Sequence, residues 1–301
     1  MRRALLIVNP AAGQWWRRPD PERLRDRLAT HGWAVDLHLT RGQDHATEIV
    51  REHLHGAEAV WVCGGDGTVG QAVAGMVDSG IPVAILPAGT VNVVAAECGI
   101  PKRLDRAMAA LSGDPRRCPF RIWQMNGRAV ILGAGVGFDA RAMGRTPLSL
   151  KHALGLLAIG ARGIREWARY DFPALRVTGT DGDGNPFDEP ATQVLATVTR
   201  RFAGSHTLVP DADPADDCIE LVLLRGVSRA RLAAFWMGVE LPGAAQLRVP
   251  GVRVLRAREF RVTREGPAEE EAHVNGDVVA ATPFSVEPWG RVDVLAPRRG
   301  S

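Results

Sequence analysis

The sequence predicts an α/β fold: an N-terminal open, mostly parallel sheet wound with helices, then a β-rich sandwich domain. Three observations carry this. Apolar runs of strand length alternate with segments of helical spacing over roughly the first hundred residues. Turn-forming loops follow the strands, at residues 9–13, 40, 64–68 and 89–92, which in a parallel sheet all fall on the carboxyl edge where ligands bind. Past residue 120 the texture changes to strand after strand. The domains are placed at 1–122 and 123–301, with the extreme C-terminus free to return to the first.

The elements follow in order. Residues 4–8 are a continuous apolar strand, and 21–31 have helical spacing with Leu24 and Leu28 inward. Residues 33–39 alternate as a strand, 46–55 form a helix, and Ala59-Val60-Trp61-Val62-Cys63 is a buried strand. A helix over 69–77 turns Ala and Val inward, 81–86 is the next strand, and a helix runs through Ala96. In the second part, 121–125 and 128–132 pair about Asn126-Gly127, a favoured hairpin turn. Further strands are expected at 174–178, 193–199, 218–224, 252–256, 260–263 and 284–286, with helices at 148–167 and 229–239. There is no internal repeat and no low-complexity tract.

Composition bounds the function. With 301 residues, 46% hydrophobic and 24% charged, the chain is that of a soluble globular protein with two cores. A formal net charge of +3 gives no argument for nucleic acid as a partner. Cys63, Cys98, Cys118 and Cys218 are scattered without a C-x-x-C pair, which suits a reducing, cytoplasmic compartment. The start, Met1-Arg2-Arg3 before an apolar run, superficially resembles a signal peptide, but Asn9-Pro10 ends that run too early. The longest apolar stretch, 153–161, is far short of a spanning helix, so the expectation is a soluble or at most peripheral protein.

The stretch Cys63-Gly64-Gly65-Asp66-Gly67-Thr68 organises the chemistry. Glycines between a strand and a helix let backbone N–H groups approach a ligand, and the helix N-terminus adds positive potential, so the turn suits a phosphate. Asp66 would repel a polyphosphate unless a cation such as Mg²⁺ bridges or screens it. The Gly-x4-Gly-Lys-Ser/Thr pattern of a Walker loop is absent. Thr68 and Thr90 also fit as helix caps, a role compatible with phosphate binding.

These residues and others carry a family resemblance. Val8-Asn9-Pro10-Ala11-Ala12-Gly13, Gly64-Gly65-Asp66-Gly67-Thr68, Leu86-Pro87-Ala88-Gly89-Thr90-Val91-Asn92, Gly135-Val136-Gly137-Phe138-Asp139-Ala140, Pro210-Asp211-Ala212 with Asp216-Asp217, and Val274-Asn275-Gly276-Asp277 span almost the whole chain. In that order they resemble the diacylglycerol-kinase catalytic family of lipid kinases, which includes bacterial diacylglycerol kinases and sphingosine and ceramide kinases. Gly-Gly-Asp-Gly-Thr alone also occurs in NAD kinases; the full set is more specific. The resemblance implies an NAD-kinase-like first domain, ATP and Mg²⁺ in an interdomain cleft, and phosphorylation of the hydroxyl of a diacylglycerol-like or related lipid. By family position, Asn9, Pro10, Ala11, Ala12, Gly13, Thr40, Gly64, Gly65, Asp66, Gly67, Thr68, Val69, Gly70, Gln71, Gly89, Thr90 and Asn92 would surround ATP. Asp217 and the main-chain oxygens of Pro214 and Ile219 would hold a structural cation. Asp277 would replace the catalytic glutamate, with Asp66 as the second catalytic carboxylate.

Departures from the pattern are specific. Gly70-Gln71 stands where the family has Asn-Glu, Val93 where it has Asp, Cys218 where a glycine follows the metal aspartate, and Asn275-Gly276-Asp277 replaces Asp-Gly-Glu. They leave open a weakly active or inactive nucleotide-binding homologue and, more remotely, an NAD kinase. Asp217 also fits a generic acidic turn, and Asp277 an ordinary Asn-Gly turn. Asp181-Gly182-Asp183-Gly184-Asn185 begins like a calcium loop, but Pro186 and Thr192 stand where its glycine and glutamate belong, so it reads as a hairpin tip. Trp15-Trp16-Arg17-Arg18 is read as a loop, with membrane contact as the alternative. The helix from Leu148 carries Leu150, Leu154, Leu157 and Ile164, with Lys151, Arg162, Arg165 and Arg169 also along it, a face for an acyl chain or an ordinary core face. The expected partner is a lipid presented at a membrane surface, with peripheral membrane contact and a homodimer both left open.

Overall fold

The computed structural model describes residues 1–13, 20–144, 165, 167–202, 206–241 and 243–298. Trp15-Trp16-Arg17-Arg18 and all but the end of the 148–167 helix lie outside the described residues. The chain divides into two compact units: Met1–Ile122 with Trp289–Ser301, and Trp123–Pro288.

Unit 1 is a parallel α/β sheet. It contains β1 (Arg2–Val8), α1 (Pro21–Thr30), β2 (Trp33–Leu39), α2 (His45–His53), β3 (Ala59–Gly64), α3 (Asp66–Ala74), β4 (Val83–Pro87), α4 (Val93–Glu97) and α5 (Leu104–Ser112). The strand order is β4-β3-β1-β2, with every neighbouring pair parallel. β3 and β4 are buried at every residue, as continuous apolar strands covered on both faces must be. β2, at the edge, alternates instead. α1 forms where Asp20 accepts the Arg23 N–H at 3.3 Å, Pro21 opens the first turn, and Leu24 and Leu28 are buried. Trp33 of β2 meets Trp61 of β3 edge to face at 5.6 Å. The chain passes from β1 to β2 on one side and then back to β3 on the other. The topological switch therefore lies between β1 and β3.

Unit 2 is antiparallel. The chain enters it within β5 (Arg116–Met125), which pairs with β6 (Arg128–Val130) about Asn126-Gly127. β7 (Gly133–Val136), α6 (Phe138–Gly144), β8 (Leu175–Asp181), β9 (Pro186–Ala191), β10 (Gln193–Thr197), β11 (Arg201–Phe202), β12 (His206–Thr207) and β13 (Ile219–Leu224) follow. Then come α7 (Arg229–Glu240), a 3-10 turn (Ala245–Arg248), β14 (Val252–Arg264), β15 (Glu271–Val274), β16 (Asp277–Ala281) and β17 (Phe284–Ala296). The main order is β16-β15-β7-β10-β13-β14, with the β8–β9 hairpin also on β14. Leu221 and Leu223 of β13 face one core with Val177, Val194 and Val262. Val222 and Leu224 face another with Leu195, Leu232 and Phe235. Both faces are covered, so the strand reads as a continuous apolar run.

Several boundaries differ from the sequence reading. The expected strands 252–256 and 260–263 are one strand, β14, with a bulge between Ala257 and Glu259 that breaks the alternation. The expected strand 284–286 continues through Pro288 and Gly290 to Ala296, and its Val294 pairs in parallel with Val83 of β4. α3 begins at Asp66 rather than 69, because glycines that read as loop are its first turn. α5, α6, β7, β9, β11, β12, β15 and β16 lie outside the elements expected from the sequence. Asp181 does sit at a hairpin tip, where its Oδ1 accepts the N–H groups of Asp183 (3.0 Å) and Asn185 (2.8 Å).

Candidate nucleotide-binding site

The loops singled out in the sequence converge at the carboxyl edge of unit 1. Residues 9–13 leave β1 and the Gly65-Asp66-Gly67 turn leaves β3, so they flank the switch point. A hydrogen bond joins them: Asn9 Nδ2 donates to Thr68 Oγ1 at 3.0 Å. Asn9 Oδ1 accepts the Ala11 N–H at 3.0 Å, an Asx turn that shapes the first loop. Thr68 is 7% exposed, so its hydroxyl is committed to holding the two loops together. Thr40, at the end of β2, is also buried, and its N–H donates to Val8 O at 2.9 Å.

The third loop packs backbone against backbone with the second. The Ala88 and Gly89 N–H groups both donate to Gly64 O, at 3.0 and 3.2 Å. A Cβ on Gly89 would lie 2.5 Å from Gly65 Cα, and one on Gly13 would lie 2.7 Å from Ala88 O. Gly13 also has φ +79°. Only glycine admits this approach. Asn92, at φ 54°, closes the loop on itself: its Oδ1 accepts from Gly89 N–H (2.8 Å) and its Nδ2 donates to Gly89 O (2.7 Å).

Asp66 has a role the sequence did not reveal. Its Oδ2 accepts the Val93 N–H at 2.9 Å and its Oδ1 the Val94 N–H at 3.1 Å, so it caps α4 from across the loop. Charge-assisted bonds of this kind stabilise the carboxylate and partly offset its repulsion of an anionic ligand. Val93, where the family has an aspartate, is 5% exposed and contributes only its N–H. Gln71 is half-buried on α3, where its carbonyl accepts from Thr47 Oγ1 at 2.7 Å; Thr90 is exposed. The cradle of close-packed glycines at the start of α3 fits a phosphate chain. Asp66 is the carboxylate beside these glycines, with both oxygens accepting from the start of α4.

The remaining predicted residues lie in unit 2. Asp277 opens β16, exposed, directly after a turn in which Asn275 has φ 52° and Gly276 φ 90°. Asn275 anchors that turn: Oδ1 accepts the Ile131 and Leu132 N–H groups (3.1 and 3.0 Å) and Nδ2 donates to Ala129 O (2.6 Å). Pro214 and Asp217 precede β13, and Ile219 begins it. Three strands, β10, β7 and β15, stand between β13 and β16. At roughly 4.8 Å per strand, Asp217 and Asp277 are too far apart to share one ion. Arg256 pairs with Asp216 at 2.7 Å and with Glu220 at 3.3 Å; burial raises the Glu220 carboxyl above its usual range.

One buried polar group went unread in the sequence. His273 Nε2 lies 2.7 Å from Asp139 Oδ2, both residues under 5% exposed, and Gln193 Nε2 donates to Asp139 Oδ1 at 3.4 Å. His273 Nδ1 accepts the Gly276 N–H at 3.4 Å, next to Asp277. Asp139 was visible only as the end of a glycine-rich motif, and no spacing links it to residue 273. Gly135 is what lets them meet, since a Cβ there would fall 2.4 Å from both groups.

A parallel α/β unit with glycine loops at its switch point, followed along the chain by an antiparallel β unit, defines the class of fold. Comparison with known proteins narrows it. Residues 3–120 match the diacylglycerol kinase catalytic domain, and residues 133–295 match the YegS C-terminal NAD kinase beta sandwich-like domain. The chain is 30% identical over 242 residues to diacylglycerol kinase of Bacillus subtilis, covering 78% of this chain and 77% of that one. It is 27% identical over 235 residues to diacylglycerol kinase of Staphylococcus aureus, covering 77% and 73%. A Bacillus anthracis diacylglycerol kinase structure superposes with a TM-score of 0.68 at 18% identity, over 99% of this chain and 97% of that one. Yeast NADH kinase, complexed with NADH, superposes with 0.53 at 11% identity over 99% and 84%. The chain belongs to the diacylglycerol kinase family of lipid kinases, and its class of chemistry is kinase-type phosphoryl transfer. Among the described residues, no helix is long and apolar enough to cross a membrane.

Proposed function

We propose that this chain is an ATP-dependent kinase that transfers the γ-phosphoryl group to the hydroxyl of a diacylglycerol-like lipid. The observation that supports it most is the Asn9–Thr68 hydrogen bond across the switch point, in a chain of this family. It holds the first and second loops where a polyphosphate would lie, and the Gly65–Gly89 contact brings the third beside them. Backbone N–H groups at the start of α3 bind and orient phosphate oxygens. Mg²⁺, when bound with the nucleotide, would neutralise phosphate charge near Asp66. Asp277 takes the proton of the lipid hydroxyl, help typically worth ~10²–10⁴-fold. Asp217, with the carbonyls of Pro214 and Ile219, holds a structural cation.

The lipid is presented at a membrane surface that the protein contacts peripherally. The test is γ-labelled ATP and Mg²⁺ with the purified protein and a panel of diacylglycerol, other lipids, sphingoid bases and NAD. Label in diacylglycerol is the expected result; label in NAD alone refutes the lipid reading. A second reading, a homologue that binds ATP without turnover, draws on buried, apolar Val93 at the place of a family carboxylate. Binding with no transfer to any acceptor would favour it.

A further inference from the structure

We propose that unit 1 carries a transition-metal site, with Zn²⁺ as its occupant, formed by Asp36, His38 and His53. None of these residues belongs to the nucleotide loops. Asp36 and His38 are two apart on β2, so their side chains share a face. His53 comes from the last turn of α2 and stacks on His38 with ring centroids 3.9 Å apart.

The donor atoms converge. His38 Nε2 lies 2.9 Å from Asp36 Oδ1, and His53 Nδ1 lies 3.9 Å from Asp36 Oδ2. One ligand atom from each residue falls within 4.8 Å of the others, the one such cluster among the described residues. Metal–ligand bonds of ~2.0–2.2 Å set neighbouring donors of a tetrahedral Zn²⁺ roughly 3.3–3.6 Å apart. The two separations bracket that value, and the stacked imidazoles, with planes 35° apart, would tilt away from each other to aim both lone pairs at one ion. Glu52, with Oε2 3.7 Å from His53 Nε2, is placed to accept from that ring nitrogen while Nδ1 faces Asp36.

The donor set also selects the metal. Two imidazoles and one carboxylate suit Zn²⁺, whereas Mg²⁺ prefers oxygen ligands and retained waters. The plainer alternative is a polar edge strand with a surface His–Asp pair, worth little to stability. A bound ion would do more. It would clasp edge strand β2, whose carboxyl end leads into Thr40, to the far end of α2.

The experiment uses chelator-treated full-length protein without nucleotide. Zn²⁺ is titrated by calorimetry and thermal shift, and Co²⁺ by visible absorption. One Zn²⁺ per chain, a raised Tm, and the d–d bands of Co²⁺ with nitrogen and oxygen ligands are expected. The double variant His38→Ala/His53→Ala should lose at least the ~10–100-fold in affinity that even an outer-shell partner can cost. It should keep the wild-type circular dichroism and response to Mg·ATP. Asp36→Asn, which keeps the side-chain shape, should also weaken binding. Equal Zn²⁺ affinity in the double variant overturns the proposal. So does absence of binding by the wild type, or a sulfur-to-cobalt band assigning the metal to cysteines.

Discussion

Asp66→Ala tests how the central loop is held. In the folded protein the Asp66 carboxylate accepts two N–H groups, from Val93 and Val94, at 2.9 and 3.1 Å in a part-buried setting. A hydrogen bond to a charged group contributes ~1.5–3 kcal/mol, and water recovers part of that when the site is not fully sealed, so the loss should be about 2–4 kcal/mol. Urea unfolding at constant pH measures it as a lower midpoint with an unchanged slope. The same variant should lose the thermal stabilisation that Mg·ATP confers on the wild type. Asn92→Ala separates the two effects. It removes both bonds between Asn92 and Gly89 and loosens the same loop, but leaves the carboxylate in place. It should lower stability while keeping part of the Mg·ATP response. If Asp66→Ala unfolds at the wild-type midpoint, the capping role is refuted; an intact Mg·ATP shift in it refutes the nucleotide role.

Other substitutions probe the neighbouring chemistry. Gly89→Ala places a methyl group 2.5 Å from Gly65 Cα and 2.9 Å from Asn92 Oδ1, so it should cost ~1–3 kcal/mol and weaken ATP binding, read by calorimetry. Asp277→Asn should lose most of kcat with little change in stability, whereas Asp277→Glu should turn over faster unless the backbone has moved to suit the shorter acid; full activity in Asp277→Asn would put the base elsewhere. Cys118 should be the thiol that alkylates first. The Cys98 thiol, which it faces, and Arg116 Nη1 at 2.5 Å lower its pKa to about 7, while burial drives Cys63 up to about 12 and raises Cys218. Because the folded value lies below that of an ordinary thiol, folding favours the thiolate. That stabilisation is full above the ordinary thiol pKa and is lost as pH falls through about 7. Iodoacetamide labelling against pH, read by peptide mass, should show a Cys118 midpoint near 7; a midpoint near the ordinary thiol value of 9.0 would refute it.

Much of the fold was legible because its signals are local. The apolar runs at 4–8 and 59–63 read as strands, and so did the alternation at 33–39, whose place at the edge only the strand order shows. Each loop that follows them carries glycine, proline or asparagine where the backbone must turn sharply. The errors occur where a local signal was ambiguous. Glycines at the start of α3 looked like loop, and a bulge divided β14 into two apparent strands. Pro288 and Gly290 hid the long run of β17.

The sequence by itself determined that glycines, Asn9, Asp66, Thr68 and Asn92 occupy the carboxyl ends of parallel strands, because apolar periodicity and turn chemistry act over a few residues. It also determined the family, through motifs spread along nearly the whole chain. What only the tertiary structure decided is which of these groups meet. Asn9 holds Thr68 across 59 positions of sequence, Asp66 reaches 27 and 28 positions to cap α4, and Asp139 finds His273 across 134. The Asp36, His38 and His53 cluster likewise needs α2 folded back on β2. Such pairings depend on strand order and on the absence of a Cβ at Gly65, Gly89 and Gly135. No local preference encodes them, since their energy exists only once distant segments have been packed together.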